Sequence, residues 1–318
     1  MPDLAYAVAE EEIQDIPVTV LEAAGSDLRA AFAPGAGMVC ASLRHHGDEL
    51  LGQRGGLAKY AQTGSSMGIP LLHPWANRLS ALEYSAAGRT VKLDPDRSPI
   101  RLDPNGLPIH GLAVAWPYWE VTGADASQAG ARLSARLDWS AHDDLMAGFP
   151  FAHELTIEAI LFGATLTIET VLHATGDTPV PVSFGWHPYL TLPDTPRADY
   201  DVTLPVRRQS RLDDRGIPTG EDEPVEDHSG PLGDRDHDDL FTELTHPPEF
   251  ILRGADHCLE LRFEAGYPHA QVYAPPADDF ICFEPMTAPT NALVTGDHQL
   301  VTPGDRYIAR FSITVTDG

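Results

Sequence analysis

The chain has 318 residues, 42% of them hydrophobic, which is enough for one large domain with a sizeable core. Acids outnumber Lys and Arg by 47 to 21, a formal net charge of −26, so the basic footprint needed for nucleic acid or an anionic membrane surface is missing. No run of about 18 apolar residues predicts a transmembrane helix. The segment Met1–Glu12 lacks the basic and apolar parts of a secretory signal, and Cys40, Cys258 and Cys282 are odd in number without metal-type spacing, so the expected setting is cytoplasmic with reduced thiols.

Residues 1–15 read as an N-terminal extension. Beyond them, short β-prone runs separated by Gly/Pro turns follow at Pro17–Glu22, Leu28–Phe32 and Met38–Leu43. From Ala131 to Trp139 the chain alternates, with Leu133, Ala135, Leu137 and Trp139 on one face and Arg132, Ser134, Arg136 and Asp138 on the other, as in a strand with one wet face. His153–Leu161 and Thr165–His173 predict a hairpin around Gly163. Leu259, Leu261 and Phe263 alternate with Glu260, Arg262 and Glu264, and Tyr307 to Val315 supplies a last long strand. Only Ala141–Gly148 suggests a helix, of one or two turns. Many short strands punctuated by 28 Pro and 27 Gly predict an all-β protein, one large antiparallel β-sandwich over residues 1–318. The acidic stretch 207–237 is expected to be a solvated surface excursion, after which Asp238-Asp239-Leu240-Phe241 returns an aromatic to the core behind two carboxylates.

Four stretches put chemically capable side chains in fixed-loop contexts. Gly68–Ser80 offers His73, Trp75, Asn77 and Arg78; Leu107–Leu112 offers His110; Phe184–Leu190 offers His187 with Trp186 and Tyr189. In the fourth, the apolar run Phe280–Phe283 reads as a buried strand that delivers Glu284 directly before Pro285, where the missing N–H should end the strand. Each is explicable singly: a histidine in an apolar run is commonly structural, the tryptophans suit a core, and Glu284 at a strand end suits either a pocket or a solvent-facing rim. A zinc site from His73, His110 and His187 is a rival, although the close His spacing of zinc motifs is missing. No Gly-rich phosphate loop, nucleophile elbow or HExxH occurs.

The motifs His73-Pro-Trp-x-Asn-Arg78, His187-Pro-Tyr189 and Glu284-Pro-Met-Thr-x-Pro-x-Asn-Ala-Leu293, in this order, resemble the aldose 1-epimerase (galactose mutarotase) family, in particular its divergent bacterial branch, over roughly residues 30–315. The resemblance implies a large β-sandwich, a cytoplasmic isomerase with no cofactor and no metal, and a monosaccharide as partner, the chain being a monomer or weak homodimer. By motif, Glu284 resembles the catalytic base and His187 the acid. His110 resembles the second histidine of the site, Asn77 and Arg78 the pair that binds sugar hydroxyls, and Gln271 a ligand-contacting glutamine. Asp238 matches the site aspartate, with its neighbour Asp239 as the fallback, and Trp75, Trp186 or Tyr189 would supply an apolar platform for the sugar. Departures from the better-known branch lie at His73-Pro-Trp75, Pro188 and Pro285-Met286, and they leave the sugar open.

The expected reaction takes a proton from the C1 hydroxyl and gives one to the ring oxygen, work for one carboxylate and one imidazolium. Carboxylates near His187 are expected to lift it above the ordinary histidine value of about 6.5. The alternatives are a hexose-6-phosphate epimerase, with Arg78, Arg97 and Arg101 as possible phosphate ligands, a non-catalytic carbohydrate-binding protein, and a two-carboxylate glycoside-processing enzyme pairing Asp238 with Glu284.

Overall fold

The computed structural model describes residues 6–193 and 195–318. The described strands collect into three larger antiparallel sheets and three two-stranded ribbons. A five-stranded meander holds Tyr6–Ile13, Ile16–Ala23, Leu28–Ala33, Val39–His45 and Asp48–Glu49. A nine-stranded sheet is centred on His153–Phe162, Thr165–Ala174, Arg306–Asp317 and His257–Ala265. The third sheet, of eight strands, runs from Pro218–Pro224 through Val206–Leu212, His237–Leu244, His269–Ala274 and Ile281–Met286 to Gly185–Trp186 and Leu71–Leu72, with Tyr189–Leu190 pairing separately onto Ile281–Met286.

The two large sheets pack face to face through aromatic residues. Phe283 meets Phe250 at 5.2 Å between ring centroids, and Trp186 meets Phe311 at 5.9 Å. Because side chains alternate across a strand, this packing decides the site. Ile281 and Phe283 enter the core, so Cys282 and Glu284 face the other way; Trp186 enters the core, so its neighbour His187 does not.

Three local expectations change. Tyr6–Ile13 is no loose extension: it pairs along its length with Ile16–Ala23 across a turn with Gln14 and Asp15 at φ 54° and 63°, the left-handed conformations of a tight hairpin, while residues 1–5 lie outside the described chain. Its acidic run is matched by groups distant in sequence, since Arg29 bonds both Glu11 and Glu22. The acidic stretch 207–237 is solvated but regular, a hairpin of Val206–Leu212 and Pro218–Pro224 followed by an edge strand, His228–Pro231. Finally, the strand carrying Glu284 continues through Pro285 to Met286. Its neighbour on one side is interrupted between Gly185–Trp186 and Tyr189–Leu190, and a methyl built on Gly185 would lie 2.7 Å from the Pro285 carbonyl oxygen. The proline nitrogen shares that edge, where the broken neighbour requires no ladder donor. A helix at Leu57–Thr63, too short to show a period, accompanies the expected turn of helix at Asp143–Gly148.

Candidate functional site

Two adjacent rows of the eight-stranded sheet build the floor of a pocket. In one row Asp238 stands opposite Tyr273, Tyr273 opposite Cys282, and Cys282 opposite Tyr189. In the next row Gln271 stands opposite Glu284, and His187 fills the interruption beside it. The pocket, about 220 Å³, is lined by Arg54, Asn77, Arg78, Ile109, His110, His187, Tyr189, Asp238, Tyr273 and Glu284.

Loops make the walls, and much of what the motifs encode is their backbone. His110 and Asn77 adopt left-handed conformations, φ 64° and 51°, and are locked together by the His110 N–H donating to the Asn77 carbonyl at 2.9 Å. Gly111, also left-handed, passes so close to the chain at His73 that a methyl there would sit 2.3 Å from the His73 carbonyl oxygen, so the residue after His110 must be glycine. The Asn291 N–H donates to the Arg78 carbonyl and its Oδ1 accepts from the Ser80 N–H, 2.9 and 2.8 Å, tying the C-terminal motif to the Asn-Arg loop. Arg78 is aimed by Asp103, whose carboxylate accepts from Nε at 3.0 Å and from the Leu107 and Asn105 amides. Asp238 lies 3.8 Å from the Arg78 guanidinium and accepts from Gln271 Nε2 at 2.7 Å.

At the centre, Glu284 Oε1 lies 3.2 Å from His187 Nε2, with the two side chains 3% and 5% exposed. The Tyr189 ring stacks on His187 at 4.3 Å and 10°, its hydroxyl 3.3 Å from Nε2, and the His110 ring meets His187 edge-on at 5.3 Å. Arg54 covers the outer side of Tyr189, its guanidinium 5.2 Å from the ring centre.

The charge state overturns the expectation of an elevated His187. Burial holds its imidazole well below the ordinary histidine range, and His110 pushes the same way. Burial lifts the Glu284 carboxyl well above the ordinary range, aided by Asp238 and opposed by Arg78. Burial of both groups therefore pushes the pair towards its uncharged form, a protonated carboxyl beside a neutral imidazole. His110 is driven down to about 3 by burial and by Arg101 and Arg78, and stays neutral too.

Glu284, His187, Asn77, Arg78, His110 and Asp238 therefore converge on one pocket, while Gln271 lies just beneath it as the support of Asp238. Asp239 is turned away, held by His237 and Gln209, so Asp238 is the pocket aspartate. Trp75 is not brought to the pocket: it is fully buried in the main core, as is Trp186, whose Nε1 donates to Thr170. Tyr189 alone of the three platform candidates lines the cavity. His73 is also absent from it, with Nε2 2.9 Å from His153 Nε2 in the core, so the trio of His73, His110 and His187 does not assemble. His187, Cys282 and Glu284 do bring one ligand atom each within 4.8 Å of one another, a geometry able to hold a metal, although burial pushes the Cys282 thiol well up and disfavours the thiolate.

Arg54, Asp103, Tyr273 and Asn291 were not assigned from the sequence. Tyr273 is signalled by standing two residues from Gln271 on the same strand face, and Asn291 by lying within the motif Glu284–Leu293. Arg54 and Asp103 sit in turns whose direction is set only by packing.

A family model described as aldose 1-epimerase matches residues 27–314. Among solved structures, the Slr1438 protein from Synechocystis is 25% identical with a TM-score of 0.77, covering 100% of both chains. A galactose mutarotase-like protein from Clostridium acetobutylicum is 16% identical with a TM-score of 0.82, again over 100% of both chains. A galactose 1-epimerase from Lactobacillus acidophilus is 15% identical with a TM-score of 0.78, over 99% of both. No curated protein sequence matches the chain.

Proposed function

Because the chain belongs to the aldose 1-epimerase family, we propose that it interconverts the α and β anomers of a free hexose such as glucose or galactose, with Glu284 and His187 transferring the protons. The observation that carries this reading is the buried contact of 3.2 Å between the carboxyl and the imidazole at the floor of a pocket rimmed by hydroxyl-binding groups. At about 220 Å³ the pocket is smaller than the roughly 300–1,000 Å³ usual for larger ligands, which suits one sugar ring.

Sugar hydroxyls entering between the pair replace the lost water around the carboxylate and favour the allocation with Glu284 ionised and His187 protonated. Arg78, which lowers Glu284, assists. Glu284 then accepts the O1 proton while the C1–O5 bond breaks and His187 delivers its proton to O5, giving the open-chain aldehyde. Rotation about C1–C2 exposes the other face of the carbonyl. His187 takes the O5 proton back, O5 closes on C1, and Glu284 returns its proton to O1. The pair ends with the proton count it began with, so no cofactor is needed. Each such group typically contributes 10²–10⁴-fold. Asn77, Arg78 and Asp238 hold the ring hydroxyls, and Tyr189 and Tyr273 offer aromatic walls to its C–H faces.

The phosphorylated-sugar reading is the weaker one. Arg101 is withdrawn to cap the Val114 carbonyl, Arg97 does not line the pocket, and Arg78 already faces Asp103 and Asp238. A pure binding role leaves the buried acid–base pair without a purpose. Saturation-exchange NMR across α-glucose, α-galactose and one hexose 6-phosphate tests all three: enzyme-dependent anomer exchange of the free sugars is expected, and exchange confined to the phosphorylated sugar, or none at all, would overturn the proposal.

A further inference from the structure

Away from the sugar pocket, a second cluster of titratable groups stands where the N-terminal sheet meets the end of the C-terminal strand. His45 closes the strand Val39–His45, His46 follows in the turn, and Asp317 ends the strand Arg306–Asp317. Neighbouring residues of a strand point to opposite faces. His46 escapes that rule because its φ of 54° turns it back, and the two imidazole rings meet at 4.0 Å. One nitrogen from each ring and one Asp317 oxygen lie within 4.8 Å of one another, beside an open hollow of about 590 Å³.

The bonding within the cluster is incomplete in an informative way. His45 is 4% exposed, and its buried Nδ1 has no hydrogen-bond partner among the described residues. His46 Nδ1 is 3.2 Å from Asp27, and its Nε2 is 3.5 Å from Asp317. That last separation matches the edge of a tetrahedron, about 3.4 Å for bonds of about 2.05 Å around a metal ion. A carboxylate on the far nitrogen of a ligating imidazole is the usual outer support of such a site, and Asp27 is placed to be one.

We propose that His45, His46 and Asp317 form a binding site for a divalent first-row transition ion of the Zn²⁺ type, with Asp27 orienting His46 and water completing the shell. Two imidazoles and a carboxylate suit zinc, nickel or cobalt over magnesium or calcium, which prefer all-oxygen shells. The ion would staple the end of Arg306–Asp317, a central strand of the nine-stranded sheet, to the five-stranded sheet. The effect is on stability, and anomer exchange does not run through it.

The test is Zn²⁺ titration of the metal-free full chain by calorimetry, with Co²⁺ absorption as the report of tetrahedral ligation. One ion per chain is expected, with Kd in the micromolar range or tighter, and a melting temperature several degrees higher in excess Zn²⁺. His46→Ala and Asp317→Asn alter exposed groups outside the sugar pocket; each is expected to weaken binding at least tenfold while leaving the metal-free melting temperature and anomer exchange unchanged. Because His187, Cys282 and Glu284 are also within ligating reach of one another, the same titration is run on Cys282→Ser, where binding is expected to persist. No binding at 100-fold protein excess over the expected Kd, undiminished binding in both surface variants, or its loss in Cys282→Ser would each overturn the assignment.

Discussion

Replacing Glu284 by Gln removes the carboxyl while keeping its shape, and it is expected to move activity and stability in opposite directions. For activity, loss of the proton acceptor should cost the 10²–10⁴-fold of a general acid–base group, about 2.7–5.5 kcal/mol in barrier. For stability, burial raises the folded-state Glu284 well above its ordinary value, so the native chain holds a proton that the unfolded chain releases. Such a group contributes its full stability below the unfolded value, near 4.5, and loses it progressively as pH rises towards the folded value. Over that window the slope approaches about 1.4 kcal/mol per pH unit. Glutamine has no such slope, so Glu284→Gln should match the parent near pH 4.5 and become more stable than it by pH 7 and above. Urea unfolding midpoints at pH 5, 6, 7 and 8, read beside polarimetric anomerisation, measure both effects. A variant that keeps the parent rate, or one less stable than the parent at every pH, would refute the argument, the second because the buried carboxyl would then be favourably held as an anion.

Other consequences are as direct. The pH profile of kcat/KM should be bell-shaped with an acid limb well below 6.5, since the second proton must go to a depressed His187; an acid inflection at or above 6.5, or a flat profile from pH 5 to 9, would contradict the pair. Asp103→Asn should lower kcat/KM about 10–100-fold, the equivalent of losing one hydrogen bond to a charged group of about 1.5–3 kcal/mol, because Arg78 loses its anchor without any change in the proton-transfer groups; an unaltered KM would sink this role. Trp75→Ala should destabilise the fold by about 3–5 kcal/mol, as large-to-small changes in a core do, and leave KM of the folded protein unchanged; a selective rise in KM would return Trp75 to the binding site.

The strands were legible because their signal is local. Alternation at Gly130–Asp138 and in the hairpin of His153–Phe162 and Thr165–Ala174 needs only a wet face and a dry one; burial follows it residue by residue in the hairpin, and in Gly130–Asp138 everywhere but at Gly130 and Ser134, which are buried on the wet face. Tyr6–Ile13 failed the same test because its polar side chains are satisfied by Arg29 and Thr19 rather than by water alone, partners invisible in the run itself. Pro285 was read as the end of a strand because a proline usually is; the interruption opposite it is a property of the neighbouring strand.

The sequence by itself determined the strand content, the presence of an isolated carboxylate at Glu284, and the motifs that resemble those of the aldose 1-epimerases. These depend on side-chain type and on period, which survive without knowledge of what packs where. The tertiary structure decided which residues share the pocket: it set Asp238 over Asp239, withdrew Trp75 and His73 into the core, and brought in Arg54, Asp103 and Tyr273. It also set the direction in which the central pair is pushed. Two groups distant in sequence enter one dry site at 3.2 Å, and the cost of removing charge from water then outweighs the attraction that composition had suggested.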